Sequence, residues 1–547
     1  MDDNRANEII DEQKALEAAD ANYRSRCQTT ADYIFPRESN ITDTSYSTIS
    51  SADTLYDVTA IEESENMASG LLTNLIPAGQ KFFGITIPNG RLQETDTVKN
   101  YLGVLTEITH EEIFSSNFIL QGGETLRSLI TFGTGNSYSE WKAGIGLNYT
   151  DWDVARYQCK ENFQGVIDTN FLKFPKTALQ AVKEWGEDKV GKSVLEAFNS
   201  KKPEKKNEKF WFIHCVRPRK QRNPRFTDFL NMKFESVYIA VKDKHEIDEG
   251  GFDEFPYAVP RWLKTTGEVH GRGIGTQILP QVKVLNRQMR DFMEIGNKQA
   301  NPPRYQKESF EGQINVTPGG TNEVMEKDDI GALDGGLQGN PVITEKVIEM
   351  QREVIKRAFY HSAFAPLTDL TGDRRNQLEI RARIQEAFRR IGSPIGRIQS
   401  EWFNPQITRS ILLLIRNGVA PPPPPELRGQ KFKIVYKGPL SLELESAEVR
   451  AAERWIGVVG EMEEVFPGAA DNISTDNAVR RMGRTYGVNE EDIASEEEVA
   501  QKRQQRAQEA QRQQALETAQ VAAQGYGQTV KAPEKGSAAE QLQGATK

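Results

Sequence analysis

The sequence predicts an α+β protein, predominantly helical, and three observations carry that expectation. Short runs rich in β-branched and aromatic residues recur between about residues 135 and 242, as in KFWFIHCVRP and ESVYIAVK. From about residue 275 the apolar residues fall instead at steps of three and four. The last hundred residues are rich in strong helix formers, and ten of the 28 from Gln501 to Gln528 are glutamine. At 547 residues the chain is long enough for two to four domains or one large, elongated assembly subunit.

Taken in order, residues 3–35 read as a polar amphipathic helix stopped by Pro36. The Ser/Thr-rich stretch ITDTSYSTISSADT reads as a loop. Ile61, Met67, Leu71 and Leu75 give AIEESENMASGLLTNLIP a helical face, and Pro77 leads into a strand in KFFGITIP. Helices follow at about 96–117 and 120–132. GNSYSEWKAG, ARYQCKENFQGVI, KFWFIHCVRP and ESVYIAVK are then expected as strands of one antiparallel sheet, with the lysine-rich 199–209 a solvated loop.

Beyond the sheet, Val282, Leu285, Met289, Phe292 and Gly296 mark a helix over 280–300, with Pro280 in its first turn and Asn301–Pro302–Pro303 ending it. Residues 302–341 are irregular and glycine-rich, with strand-like RYQKESF and GQINVTP. Helical spacing resumes at Ile343, Val347, Met350, Val354 and Ala358, before a loop, HSAFAPLTDLTGD. Ile384, Phe388, Ile391, Ile395, Ile398 and Trp402 then form a seam. Ser393–Pro394 and Asn404–Pro405 each read as a cap followed by a first-turn proline, so a long helix with kinks is expected. The prolines 421–425 form a stiff spacer, and KFKIVYKGPLS returns as a strand to the first-half sheet. Helices close the chain at about 444–465, 475–486 and 495–522. The last has a thin apolar face; one stave of a many-copy bundle and a solvated, fraying helix are equally good readings, with 526–547 disordered.

Charge is unevenly spread. Arg374 to Arg416 hold nine arginines and three glutamates, net +6, in a chain of net −9, so the remainder stands at −15. No apolar run approaches the ~20 residues of a membrane span, the longest compact one being Ile411–Ile415. The opening MDDNRANEII is neither a secretory signal nor a transit peptide. Cys27, Cys159 and Cys215 lie apart and are expected as reduced, buried thiols; His214–Cys215, in a strand-like run, is a packing pair. The sequon at Asn148 is a chance match. HGRGIGTQ lacks the GxxxxGK[ST] pattern and reads as a turn feeding the next helix. EESE, EMEE and EEDIASEEE read as solvated faces or helix starts. No catalytic residues, metal ligands or cofactor motif emerge, which favours an interaction or assembly protein over an enzyme.

This order of parts resembles the head-to-tail connecting (portal) proteins of short-tailed, T7-like (podovirus) double-stranded DNA bacteriophages. The resemblance runs through RCQTTADYIFP, ENMASGLLTNLIPAGQKFFGITIP, YAVPRWLKTTGEVHGRGIGTQILPQVKVLNRQMRDFMEIGNKQANPP and the stretch from LTGDRRNQLEI to APPPPPELRG. It covers nearly the whole chain, least in 175–235 and after 500, and rests on the ordered set rather than one motif. It implies the phage portal fold: wing (1–275 and 374–443), stem helices (276–301 and 343–360), clip (302–342), tunnel loop (361–373), crown (444–490) and C-terminal barrel helix (491–525).

The resemblance further implies a ring oligomer, a dodecamer, at one capsid vertex of the virion, assembled in the host cytoplasm. DNA enters under a separate terminase motor and later leaves by the same route. Implied partners are the large terminase, tail adaptor and tail proteins, major capsid and scaffolding proteins, and double-stranded DNA in transit without sequence specificity; no membrane and no cofactor are implied. The rival readings are a phage tail or internal ejection protein, which has no use for an irregular insert between two stem-like helices, and a helicase-like motor, which needs a nucleotide-binding loop. Twelve helices spaced about 10 Å apart enclose a circle ~38 Å across, leaving roughly 28 Å once one helix width is subtracted. Duplex DNA, about 20 Å wide, passes through such an opening.

By position, the resemblance assigns His361, Asp369, Thr371, Asp373, Arg374 and Arg375 to the DNA channel, with Lys283 and Arg287 of the first stem helix. Lys283, Arg287, Arg290 and Lys298 either form sparse basic rings there or face solvent and neighbouring subunits. Arg304, Lys307, Glu308, Glu311, Glu326 and Lys327 become docking contacts for the terminase and later the tail adaptor. Most arginines of 374–416, with Arg381, Arg383, Arg389 and Arg390 foremost, are expected to meet carboxylates of neighbouring subunits.

Overall fold

In the computed structural model the described residues are 3–38, 40–42, 55–77, 79–88, 90–93, 95–226, 228–300, 304–308, 313–315, 321–332, 341–364, 390–437, 452–463, 466, 468–485, 488, 493–494 and 496–529. They fall into two compact units, one of Met1–Gly84, Thr106–Pro422 and Tyr436–Ala447, the other of Ile85–Leu105, Pro423–Val435 and Glu448–Lys547.

The first unit is built on a five-stranded antiparallel sheet in the order β4-β5-β6-β7-β8. The strands are β4 (Tyr157–Glu161), β5 (Ile167–Thr177), β6 (Lys209–Pro218), β7 (Phe234–Ala240) and β8 (His245–Phe252). Both faces of β6 are covered, so Phe212 to Val216 are all buried and the strand shows no polar alternation. On one face α1 (Asp3–Ala19) lays Ala6, Ile9 and Ile10 over Phe171, Ile213, Cys215, Val237 and Ile239. On the other lie Cys27 and Ala31 of α2 (Ala21–Ile34), Ala178 and Ala181 of α7 (Ala178–Trp185), and Val194 and Ala197 of α8 (Lys192–Phe198). The single helix expected over 3–35 is thus divided at Asp20, whose carboxylate turns aside to His270 at 3.1 Å.

The strand reading needs two corrections. GNSYSEWKAG lies in a separate three-stranded sheet, in which β2 (Ser137–Lys142) sits between β3 (Gly146–Asp151) and β9 (Tyr257–Ala258). KFKIVYKGPLS supplies β12 (Lys433–Tyr436), which pairs with β1 (Phe83–Thr86) rather than with the large sheet. Two long strands escaped the sequence reading for physical reasons. β8 is an edge strand whose carboxylates are held by arginine, with Arg5 Nη1 donating to Glu249 at 2.8 Å and Arg219 Nη1 at 2.6 Å. β5 contains Pro175, which pairs with Trp211 beyond the last residue joined to β4, where the strand has one neighbour. The lysine-rich segment holds a short exposed helix, α9 (Pro203–Lys206).

All three cysteines are free and buried, and His214 sits in the core between Tyr257 Oη and Ser236 Oγ, each at 2.8 Å, as the packing reading expects. Burial pushes the His214 imidazole down to about 3, so it is neutral.

α5 (Asp96–Ser115) and α6 (Phe118–Phe132) occupy the two runs expected to be helical. The arginine-rich segment enters the described residues at Arg390 and continues as α13 (Gly392–Arg397), a π-helical turn (Ile398–Phe403) and α14 (Asn404–Arg416). Ile391, Ile395, Ile398 and Trp402 are buried as the seam requires, while Ile384 and Phe388 lie outside the described residues. Neither Ser393 nor Asn404 caps a helix. The helix passes Pro405 by widening: Asn404 N–H reaches five residues back to Gln399 O, which Tyr436 Oη also meets at 3.2 Å. A π turn therefore does what a break was expected to do.

The second unit holds α4 (Gly90–Gln93) and the helices 452–463, Thr475–Thr485 and Glu496–Thr529. The last reaches past residue 526, where a disordered tail was expected; 530–547 lie outside the described residues. Among the described residues no helix is long and apolar enough to cross a membrane.

The first unit also holds buried carboxyls. Burial pushes Asp151 up to about 8, with Asp153 and Glu124 adding repulsion and the Thr125 hydroxyl, donating at 2.7 Å, opposing it. Glu38 and Asp153 are raised by burial too. The facing cations bind elsewhere in the group: Arg37 and Arg127 donate to Glu124 at 2.8 and 2.9 Å. An acid whose folded value exceeds its ordinary 3.8 stabilises the fold fully below that value and loses the contribution as pH rises through about 8. Asp151→Asn is therefore expected to melt at a higher temperature than the parent at pH 9 and to lose that advantage by pH 4, as thermal unfolding at the two values would show.

Candidate functional site

The centre of the expected site is a pair of helices, α10 (Ile274–Ala300) and α11 (Pro341–Ala358), which pack together. α10 begins where HGRGIGTQ meets the end of α6, as a turn feeding a helix. The approach is backbone to backbone. Gly133 closes α6 at φ +98, and a Cβ there would collide with Gly273 N; a Cβ at Gly273 would lie 2.6 Å from Gly133 N, and one at Gly275 2.6 Å from Thr131 O. Trp262 N–H donates to Gly133 O at 2.9 Å and Gly271 N–H to Thr134 Oγ1 at 2.9 Å, completing the junction. The helix starts six residues before the expected point, so Pro280 lies inside it rather than in its first turn and costs it one hydrogen bond.

Leu279, Val282 and Leu285 of α10 and Ile348 and Ile355 of α11 are buried, and α11 ends on buried Phe359. Beyond Leu285 the first helix turns polar and exposed on most faces, with Met293 about half exposed. The segment before α3 (Thr59–Leu75) clamps both helices. Asn286 Oδ1 accepts from Tyr56 N at 2.7 Å, and Arg352 donates twice to Asp57 Oδ2, at 2.9 and 2.7 Å. Asp57 Oδ1 meanwhile accepts from Thr59 N at 2.9 Å, so one carboxylate starts α3 and holds α11.

Between the two helices lies a hairpin. β10 (Arg304–Gln306) pairs antiparallel with β11 (Ile330–Ala332), with Tyr305 opposite Gly331. RYQKESF was read as a strand and its partner was not. GQINVTP shows no strand in its described residues, 313–315. Asp329 ties the turn, accepting from Glu326 N at 2.7 Å and Met325 N at 3.1 Å. Those backbone bonds, with Lys307 beside them, hold its carboxyl below the usual range. Lys307 pairs with Glu326 at 3.0 Å and Asp329 at 3.5 Å. Met325 is 99% exposed, so the tip presents an apolar side chain to solvent.

His361 opens the short α12 (His361–Phe364), after Tyr360 turns the chain at φ 55. Its Nδ1 lies 2.9 Å from Glu63 Oε2 of α3, and the Phe364 ring closes over Gly70. Glu63, read as part of a solvated acidic run, is in fact buried. Lys283 is exposed with its ammonium 5.5 Å above the Tyr33 ring; Arg287 and Lys298 are exposed; Arg290 pairs with Asp291 and Glu294. Arg304, Glu308 and Lys327 are exposed on the hairpin and Arg390 at the start of the seam helix. Asp369, Thr371, Asp373, Arg374, Arg375, Arg381, Arg383, Arg389 and Glu311 lie outside the described residues.

Three arginines of 374–416, expected to meet neighbouring subunits, meet carboxylates of their own chain. Arg397 pairs with Glu401 at 3.0 Å, buried Arg409 lies 3.6 Å from Glu254, and Arg416 binds Glu254 at 2.5 Å. Buried Arg261, which no motif marked, gathers Glu401 at 2.7 Å, Glu161, and Gly165 O at 3.1 Å. Among the described residues no group of side chains could hold a metal ion.

The expected site is thus a half-exposed helix pair joined by a small hairpin, on an α+β body. The chain belongs to the family of bacteriophage head to tail connecting proteins, whose sequence model matches residues 6–493. It is 26% identical over 516 residues to the portal protein of Salmonella phage epsilon15, covering 90% of each chain. It is 25% identical over 467 residues to the probable portal protein of Bordetella phage BPP-1, covering 84% of this chain and 82% of that one.

The glycine junction yields a test. Gly273→Ala forces a methyl against the backbone at the end of α6, and is expected to destabilise the first unit by about 3 kcal/mol. Gly296→Ala, whose Cβ meets nothing within 4 Å, is the control and is expected to be neutral or slightly stabilising in the same denaturant titration.

Proposed function

We propose that the chain is one subunit of a ring, of twelve copies by the family resemblance, set at one capsid vertex, through which double-stranded DNA is packaged by a terminase and later ejected. The helix pair α10–α11 walls the passage, and the hairpin β10–β11 is the docking platform for the terminase and then the tail adaptor. The observation that carries the reading is the pair itself: two helices packed side by side at their base, half-exposed beyond it, and joined through a hairpin.

The electrostatics support passage rather than capture. Each phosphate neutralised by a fixed cation adds affinity through counterion release, so a conduit must ration its free cations. On α10 Arg290 is already paired with Asp291 and Glu294, which leaves Lys283, Arg287 and Lys298 as sparse basic positions along the wall. His361, at the start of α12, and Asp369, Thr371, Asp373, Arg374 and Arg375 complete the passage. Arg381, Arg383, Arg389 and Arg390 bind carboxylates of the next subunit.

Two measurements test the assignment. In a phage lacking this gene, the intact chain is expected to restore DNA-filled heads, while Arg304→Ala with Lys307→Ala leaves rings intact and cuts filled heads by more than tenfold, counted by electron microscopy. Filled heads at the parental level would remove the hairpin from docking. Separately, Arg389→Glu with Arg390→Glu is expected to abolish ring formation in light scattering; rings of normal mass would show that these arginines do not join subunits.

A further inference from the structure

The connection from β6 to β7 combines an excess of cations with exposed apolar side chains. Residues 219–233 carry five cations, Arg219, Lys220, Arg222, Arg225 and Lys233, against one acid, Asp228, in a chain of net charge −9. Two of the cations are used internally. Arg219 binds Glu249 at 2.6 Å and Gly250 O at 3.0 Å, and Lys220 binds Glu8 at 2.9 Å. Arg222, Arg225 and Lys233 are exposed, and their side chains pair with no described residue. Among them Phe226, Phe229 and Leu230 are 61%, 50% and 44% exposed.

That exposure is imposed by a folded turn. Asn231 Oδ1 accepts from Asn223 N at 2.7 Å, Asn231 Nδ2 donates to Asp228 Oδ1 at 2.7 Å, and Phe226 N–H donates to Asn223 O at 3.1 Å. The turn Phe229–Asn231 lies on β8 at Gly251, where a Cβ would collide with Phe229 O. The backbone is thus pinned, and the apolar side chains face outward from a preorganised tip.

We propose that this tip is a docking surface for an acidic protein segment bearing apolar side chains, contributed by a different protein of the assembled particle. The proposal rests on the head-vertex reading for its setting and on charge complementarity and apolar exposure for its chemistry. Aromatic and arginine side chains on one pinned turn are the composition of protein-interface anchors. A duplex would use the cations and leave the three apolar groups in water. An extended anionic surface, whether duplex or lipid headgroups, would also press on Glu8, half-exposed beside Lys220. A short acidic segment meets the cations without that repulsion and covers the apolar groups.

The test replaces Phe226 with a photo-crosslinking phenylalanine analogue in chains assembled into phage particles. The expected product is a crosslink to a protein segment of net negative charge, with a yield that falls more than tenfold on adding Arg222→Glu and Arg225→Glu. Charge reversal of the captured segment is expected to restore it. Lys201→Glu with Lys202→Glu, in the solvated lysine segment, is the control that leaves the yield unchanged. A crosslink to DNA, to lipid, to a second copy of this chain or to no product overturns the proposal, as does a yield indifferent to the two arginines. Intact chains that never enter particles would overturn the head-vertex reading itself, and this proposal with it.

Discussion

The close approach of α6 and α10 at Gly133, Gly271, Gly273 and Gly275 is the constraint on which the rest of the first unit depends. Where two backbones touch, no side chain can be inserted, so the direction in which α10 leaves the body is set by main-chain geometry. The neighbouring Arg261 reinforces it, because its guanidinium joins Glu161 at the end of β4 to Glu401 on the π turn. Removing either partner would leave a charge stranded in a largely dry site. Helix origin, sheet edge and seam helix are thereby locked at one place.

Electrostatic pairing follows the same logic of internal closure. The arginine excess that stands out in the sequence is, where it is described after Arg390, met inside the chain by Glu401 and Glu254. On the sheet, Arg5 and Arg217 bind Glu235, Glu249 and Glu12, fastening α1 across three strands. These arginines find their carboxylates within the chain. The exceptions, on α10 and at the β6–β7 tip, then carry more meaning than the total charge does.

Much of the fold was legible because its signals are local. Helices α3, α5, α6 and α11 follow from apolar residues at steps of three and four, and β6 from a run buried on both faces. What escaped was non-local or compensated. β8 hides its strand character behind carboxylates that only make sense beside Arg5 and Arg219, and β11 behind a glycine that the Tyr305 ring covers. Pro405 signals a helix break by itself; the π turn that absorbs it depends on Tyr436, thirty-two positions away from Asn404. Arg261 was invisible as a hub, since its partners stand 100 and 140 positions off in sequence. Of the site, the helix pair and one hairpin strand were readable, whereas the clamp of Asp57 on Arg352 was not.

The central claim is that α10 and α11 stand next to the axis of a closed oligomer and wall its opening. Images of the purified chain, averaged in three dimensions, test this most directly. The account predicts a ring with an opening wide enough for duplex DNA, lined by residues of 283–298 and 345–356. A chain that stays monomeric at every concentration, or a ring in which that pair lies at the outer rim, would contradict it.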